Sequence, residues 1–318
     1  MNRLDSKYCV PDLRALEEEG KTAVDMHFHT SCSDSFTDVR RLMELAESRR
    51  VGVAITDHNL IASIRRVHEA AHSVLVIPGI EVSTTDGPHV LVYFYEYRDL
   101  EGFWTEHIRP SLSSCPWLAL RDCTTERLLD LLEGENCVVS AAHPMGFLKS
   151  NKGVEVCIQK GYLSEDVTER LDAYEVICSG MSRRSNQCAH DAAVRYGLGF
   201  TGGTDGHLMT ELGNVVTVSD ESDVDGFLDS VRKHRTDVCG TEKRLPRKVQ
   251  MGAASFIRFA EHAPSTVQVQ TVQAFRSVRR ALRKRHGSFV RCPGEGGCRH
   301  ADATALTRVM ACGISRPR

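Results

Sequence analysis

Val24-Asp25-Met26-His27-Phe28-His29-Thr30-Ser31-Cys32-Ser33-Asp34 is the stretch on which the reading of this chain turns. An apolar lead-in, Thr22-Ala23-Val24, runs into two histidines one residue apart, and a carboxylate follows five residues after the second. In an extended strand, side chains at i and i+2 share a face. His27 and His29 are therefore expected to project together, with Met26 and Phe28 on the opposite side. Two imidazoles at a strand end, with an acid on the next loop, are the beginning of a chelate. Taken alone, such a pair is more often two ordinary histidines, so the rest of the chain decides.

Working outward, Asp38 can cap a helix over 39–48, whose apolar positions Val39, Leu42, Met43, Leu45 and Ala46 fall at helical spacing. Residues 52–56 read as a second strand ending in Asp57-His58-Asn59, 61–72 as a helix, and 74–77 as a third strand reaching Gly79-Ile80-Glu81. His89 opens a fourth strand over 89–94. After a mixed stretch come a helix over 125–132 and a strand over 137–142 that ends at His143-Pro144. A strand over 172–177 and a helix over 186–196 follow. Gly199 to Thr204 then leads into Asp205-Gly206-His207, a last strand is expected over 214–218, and a helix near 224–234 closes the body. This alternation is that of parallel βα units. Enough such units to curl round make a barrel, where chemistry gathers at the C-terminal strand ends.

Candidate ligands stand at those ends: His27, His29, Asp34, His58, Glu81, His89, His143, Asp205 and His207. Imidazole nitrogen with carboxylate oxygen suits Zn2+, Mn2+ or Fe2+ rather than Ca2+. The set exceeds what one ion can use, so two or three divalent ions are expected. Clustered ions of this kind serve phosphoester hydrolysis, by ionising a water and neutralising phosphoryl charge.

Asp25-Met26-His27-Phe28-His29-Thr30 with Asp34, Thr56-Asp57-His58-Asn59, Gly79-Ile80-Glu81, His89, Ala142-His143-Pro144 and Gly203-Thr204-Asp205-Gly206-His207 resemble the successive motifs of the PHP (polymerase and histidinol phosphatase) superfamily. The resemblance implies a distorted (β/α)7 barrel with a trinuclear metal centre. It implies that His27, His29, Glu81 and Asp205 hold one metal. Glu81 would bridge to a second metal, completed by His89 and His143, while Asp34, His58 and His207 would hold the third. Asp57 is expected to orient a histidine from behind. The short segment between Phe94 and Val139 leaves no room for the cap domain of relatives that act on nucleotide bisphosphates.

The chain has 318 residues, 41% hydrophobic and 26% charged, which places it among globular proteins. It has no long apolar run of membrane-spanning kind and no apolar signal segment at the N-terminus. Its 12 scattered cysteines read as reduced thiols and the location as cytoplasmic. The organisation expected is a lead-in over 1–21, the metallophosphoesterase barrel over 22–240, and a basic extension over 241–318, partly helical and disordered at its end. That extension holds 16 Lys/Arg against 4 Asp/Glu, a net +12, which leaves −14 on residues 1–240. Arg276, Arg279, Arg280, Arg283, Lys284 and Arg285 alternate with Val272, Phe275, Val278 and Leu282 as a basic amphipathic helix. Such a helix suits nucleic acid, an anionic membrane, or the acidic barrel itself. Cys292, Cys298 and His300 sit in a glycine-rich loop whose spacing fits no common zinc site. Arg183, Arg184 and Lys149 are candidate phosphate contacts, or solvated charges at helix starts. The expected substrate is a phosphorylated small molecule or nucleotide. The alternatives are a 5'-3' exonuclease or nucleotide phosphatase acting on RNA or DNA ends, and a metal-loaded binding domain without turnover.

Overall fold

The computed structural model describes residues 6–244, 246–248 and 271. In order, the elements are β1 (Ser6–Lys7), α1 (Leu13–Glu18), β2 (Thr22–Phe28), α2 (Val39–Arg49), β3 (Gly52–Ile55), α3 (Ala62–Val67), β4 (Val76–Ser83), β5 (His89–Phe94) and α4 (Tyr97–Phe103). Then come α5 (Thr125–Leu132), β6 (Cys137–Ala141), α6 (Val154–Gln159), β7 (Ala173–Cys178), α7 (Arg183–Tyr196), β8 (Gly199–Gly203), β9 (Val215–Ser219), α8 (Val224–Arg232) and β10 (Asp237–Gly240). Helix α2 begins where its cap predicts, with Asp38 accepting from Arg41 N at 3.1 Å.

The strands form one curled sheet in the order β1-β10-β9-β2-β3-β4-β5-β6-β7-β8. The segment leaving β8 returns to β2, where Phe28 and Gly206 make a parallel bridge. There His29 N donates to Gly206 O at 2.9 Å and Gly206 N donates to His27 O at 3.3 Å. Strands β2 to β8 thus form a distorted α/β barrel. Glycine permits the seam: a Cβ on Gly203 would lie 2.4 Å from His27 Cβ and 2.5 Å from His27 N, inside any tolerable contact.

Two apolar layers follow from the pleat. Val24, Met26, Ala54, Ile77, Leu91, Tyr93 and Val138 fill the interior, plugged by Phe227, Leu228 and Val231 of α8. Phe28, Val53, Ile55, Val90, Val92 and Val139 face the outer helices with Leu42, Ile64 and Leu128. Met26 and Phe28 therefore do not share a face, against the expectation from strict alternation. The register between β2 and β3 shifts between Asp25 and Phe28, and such a bulge reverses the side-chain parity. It lets Met26 stay in the core while His27 and His29 converge.

The parallel alternation also breaks. Strand β5 is antiparallel to β4, because residues 84–88 are too few for the crossover that parallel pairing needs, and it is antiparallel to β6 as well. Strand β9 is antiparallel to β2 and is not the last strand. β10 follows α8, pairs antiparallel with β9 and parallel with β1. Asp237-Val238-Cys239-Gly240 is too short and mixed to read as a strand from its pattern. No helix among the described residues is long and apolar enough to cross a membrane. The basic helix around Arg276–Arg285 and the Cys292, Cys298 and His300 group lie outside the described residues.

Candidate metal centre

The nine candidate ligands come together at the mouth of the barrel, and none is more than 7% exposed. Glu81, at the C-terminal end of β4, is the hub. Its Oε2 lies 2.8 Å from His58 Nδ1, 3.3 Å from His29 Nε2 and 3.4 Å from His27 Nε2. Its Oε1 lies 2.9 Å from His89 Nδ1 and 3.2 Å from His143 Nε2. Asp205 Oδ1 closes on His29 Nε2 at 3.2 Å and His27 Nε2 at 3.6 Å. On the far side of His29, Asp34 Oδ2 lies 3.1 Å from His207 Nε2 and 3.8 Å from His58 Nε2. Groups with metal-ligand spacing are His27/His29/Glu81, His29/Asp205/His207, His29/Asp34/His58 and His58/Glu81/His89.

Three observations test whether divalent ions fit here. His27 Nε2 and His29 Nε2 are 3.1 Å apart, and two lone pairs aimed at one point repel unless a proton or a cation stands between them. His29 Nδ1 and His143 Nδ1 are buried without a hydrogen-bond partner among the described residues, which costs free energy in a closed polar site. The carboxylates are also held ionised. Burial favours their protonated forms, but His207 and His58 beside Asp34, His58 and His89 beside Glu81, and His27 beside Asp205 hold all three below the usual carboxylate range. Buried anions require positive charge close by. In the bare chain the imidazoles supply it. Burial pushes His27 and His29 down, but Glu175, Glu81 and Asp205 raise His27 well above its ordinary value, and contacts with Asp205 and Glu81 bring His29 to about 10. Burial takes His89 the other way, to about 3. Nitrogen and oxygen donors around a shared carboxylate suit divalent ions, which replace those protons.

A supporting shell sets the geometry. Glu175 on β7 is the carboxylate that orients His27: its Oε1 lies 3.0 Å from His27 Nδ1 and its Oε2 accepts from His143 N at 2.6 Å. Asp25 ties β2 to the returning segment, accepting from Thr204 N at 2.9 Å, Thr204 Oγ1 at 2.7 Å and Gly213 N at 3.1 Å. Burial raises its carboxyl to about 6. Among the described residues the Asp57 carboxylate hydrogen-bonds hydroxyl and backbone groups and no histidine, contrary to expectation. It accepts from Thr30 N at 2.7 Å, Thr30 Oγ1 at 2.8 Å and Ser33 Oγ at 2.8 Å, and so shapes the loop that delivers Asp34. Glu175 escaped the sequence reading; its one signal is a carboxylate inside the apolar run Ala173–Cys178.

The candidate phosphate contacts are placed differently. Arg183 is paired with Glu242, with Nη2 at 2.9 Å from Oε2, and stacks 4.0 Å over the Tyr8 ring. Arg184 is exposed in the first turn of α7, and Lys149 is exposed on the loop that follows His143. Four other histidines sit away from the cluster: His68 stacks on Tyr97, His72 contacts Glu47, His107 packs on Phe103 and His190 on Phe200. His262 lies outside the described residues.

A curled α/β barrel with this histidine–carboxylate cluster at its strand ends is a PHP-like fold. Residues 183–236 match the family model for the PHP-associated region. Among solved structures, PsfC from Pseudomonas syringae is similar with a TM-score of 0.51 at 20% identity, over 76% of this chain and 98% of that one. A two-domain protein from Bacteroides vulgatus containing a predicted PHP-like metal-dependent phosphoesterase has a TM-score of 0.49 at 15% identity, over 81% of this chain and 74% of that one. The lesion-specific endonuclease Q from Pyrococcus furiosus has a TM-score of 0.53 at 13% identity, over 73% of this chain and 66% of that one. No curated protein sequence matches the chain significantly.

Proposed function

We propose that the chain hydrolyses a phosphate ester, with His27, His29, Asp34, His58, Glu81, His89, His143, Asp205 and His207 holding two or three divalent ions. The observation that carries this reading is the convergence of buried donors on both oxygens of Glu81. Bound ions would supply a water ionised near neutral pH and positive charge against the phosphoryl oxygens. The protein's own part is to orient and to exclude bulk water. Glu175 keeps the His27 proton on Nδ1 and so leaves Nε2 free for ligation. Asp57 and its hydroxyl partners hold the Asp34 loop. Lys149 is the candidate for the substrate's phosphate, since Arg183 is already paired with Glu242.

Elemental analysis of purified protein, together with product release from phosphomonoesters, phosphodiesters and short oligonucleotides under added Mn2+, tests the proposal. Two or three ions per chain with turnover are expected. Bound metal with no turnover on any substrate would point instead to a binding domain. Failure to bind any metal would refute the reading outright.

A second reading, cleavage of nucleic acid, draws on the +12 charge of residues 241–318 and on the fold shared with a lesion-specific endonuclease. Neutralised phosphates make affinity fall steeply with salt. On this reading the KM for oligonucleotides climbs sharply between low and physiological salt, while the KM for a small ester barely moves.

A further inference from the structure

Residues after 240 read from the sequence as an extension, yet the side chain of Lys243 is buried against the barrel mouth. Its backbone N–H donates to Ser179 O at 2.7 Å. Its ammonium donates to the backbone oxygen of Asp205 at 2.9 Å and meets Glu211 Oε2 at 3.1 Å, with both side chains only 4% exposed. Glu211 Oε2 in turn accepts from His207 N at 2.9 Å and from Leu208 N at 3.2 Å. The other oxygen of Glu211 is buried and has no hydrogen-bond partner among the described residues, and Lys243 is the cation that the described residues place against that carboxylate. Asp205 sits in the left-handed region at φ 47, a conformation a non-glycine residue keeps only when its surroundings impose it.

We propose that Lys243 and Glu211 act as a positioning pair that sets the Asp205–His207 turn, and with it the two ligands this turn contributes. The inference rests on the reading of the nine residues as a metal centre. Lys243 pins the carbonyl of Asp205, and Glu211 pins the N–H of His207. Removing the ammonium leaves Glu211 as an uncompensated buried anion, which relaxes by swinging toward water and releasing the turn. Asp205 Oδ1, now 3.2 Å from His29 Nε2, and His207 Nε2, now 3.1 Å from Asp34 Oδ2, then lose their places. Glu81 and His89 stand on β4 and β5 and His143 follows β6, on other segments of the chain than the Asp205–His207 turn that the pair holds. The effect is therefore selective.

The test is Mn2+ titration calorimetry on the full-length, metal-stripped chain, comparing wild type with Lys243→Met, Lys243→Arg and Glu211→Gln, each checked by far-UV circular dichroism and by melting without metal. Loss of a supporting contact of this kind weakens metal binding by about 10- to 100-fold. Lys243→Met is expected to show that loss for the ions served by Asp205 and His207 while keeping the ion at Glu81, His89 and His143. Lys243→Arg is expected to recover much of it. If Lys243→Met does not fold, Glu211→Gln, which keeps the shape and an acceptor oxygen, must show the same selective loss. Wild-type affinity and stoichiometry in these variants, with only a lower melting temperature, would overturn the proposal and leave the metal reading standing. A wild-type chain that binds no metal would remove both.

Discussion

Glu175→Gln isolates one proton. Both carboxylate oxygens are engaged, Oε1 with His27 Nδ1 at 3.0 Å and Oε2 with His143 N at 2.6 Å, in a residue 1% exposed. A backbone N–H can only donate, so the glutamine oxygen must face His143 and its NH2 must face His27. That NH2 donates, so His27 has to accept at Nδ1 and carry its proton on Nε2. Nε2 is the nitrogen 3.1 Å from His29 Nε2 and 3.6 Å from Asp205 Oδ1, where a lone pair is needed for a metal. Returning the proton to Nδ1 sets donor against donor and forfeits a charge-assisted hydrogen bond, about 1.5–3 kcal/mol. This corresponds to about a 10- to 100-fold loss in metal affinity. Calorimetric titration of the metal-free variant with Mn2+ reads this directly, and far-UV circular dichroism shows whether the barrel is intact. A folded Glu175→Gln chain that binds Mn2+ with wild-type affinity and stoichiometry would refute the tautomer argument.

Three further outcomes follow from the same geometry. Gly203→Ala drives a methyl to within 2.5 Å of His27 backbone and side-chain atoms, so the barrel seam must open; a loss of about 1–3 kcal/mol or more is expected, read as a lower urea midpoint, and an unchanged midpoint would show that the seam is looser than described. The metal-free chain is expected to melt at lower temperature as pH rises. His29 is raised from 6.5 to about 10, so its contribution is fully present below pH 6.5 and lost as pH climbs through about 10. Saturating Mn2+ should flatten that dependence, and a flat profile without metal would contradict it. The Cys9 and Cys239 sulfurs lie 3.1 Å apart, and two thiols at that distance are expected to cross-link with oxidised glutathione, two thiols becoming one disulfide as one glutathione disulfide is reduced. The cross-link is expected to form slowly at neutral pH, because burial and the Cys9 contact push the Cys239 thiol up to about 12. Peptide mapping without reductant detects it, and its absence after prolonged oxidation at pH 9 would count against the pairing.

Much of the site was legible in the sequence because metal-ligand candidates fall at recognisable strand ends. His27-x-His29, Asp57-His58, Ile80-Glu81 and Asp205-Gly206-His207 each announce themselves locally, and Asp38 marks a helix start by its own chemistry. Arg183 was misleading for the same local reason: a guanidinium near a strand end suits phosphate until Glu242, distant in sequence, takes it. The supporting residues left no such trace. Glu175 stands 148 residues from the histidine it orients, and Lys243 reads as the first lysine of a basic tail.

By itself the sequence determined the α/β character, the set of candidate ligands and the strand ends that carry it, since hydrophobic periodicity and short motifs are properties of neighbouring residues. Only the tertiary structure decided that β5 and β9 run antiparallel, that a bulge in β2 separates Met26 from Phe28, and that Gly203 lets the sheet close on His27. It also decided that Glu175 stands behind His27 and Lys243 behind Asp205. These depend on which distant segments meet, and burial there makes each polar group's partner matter most.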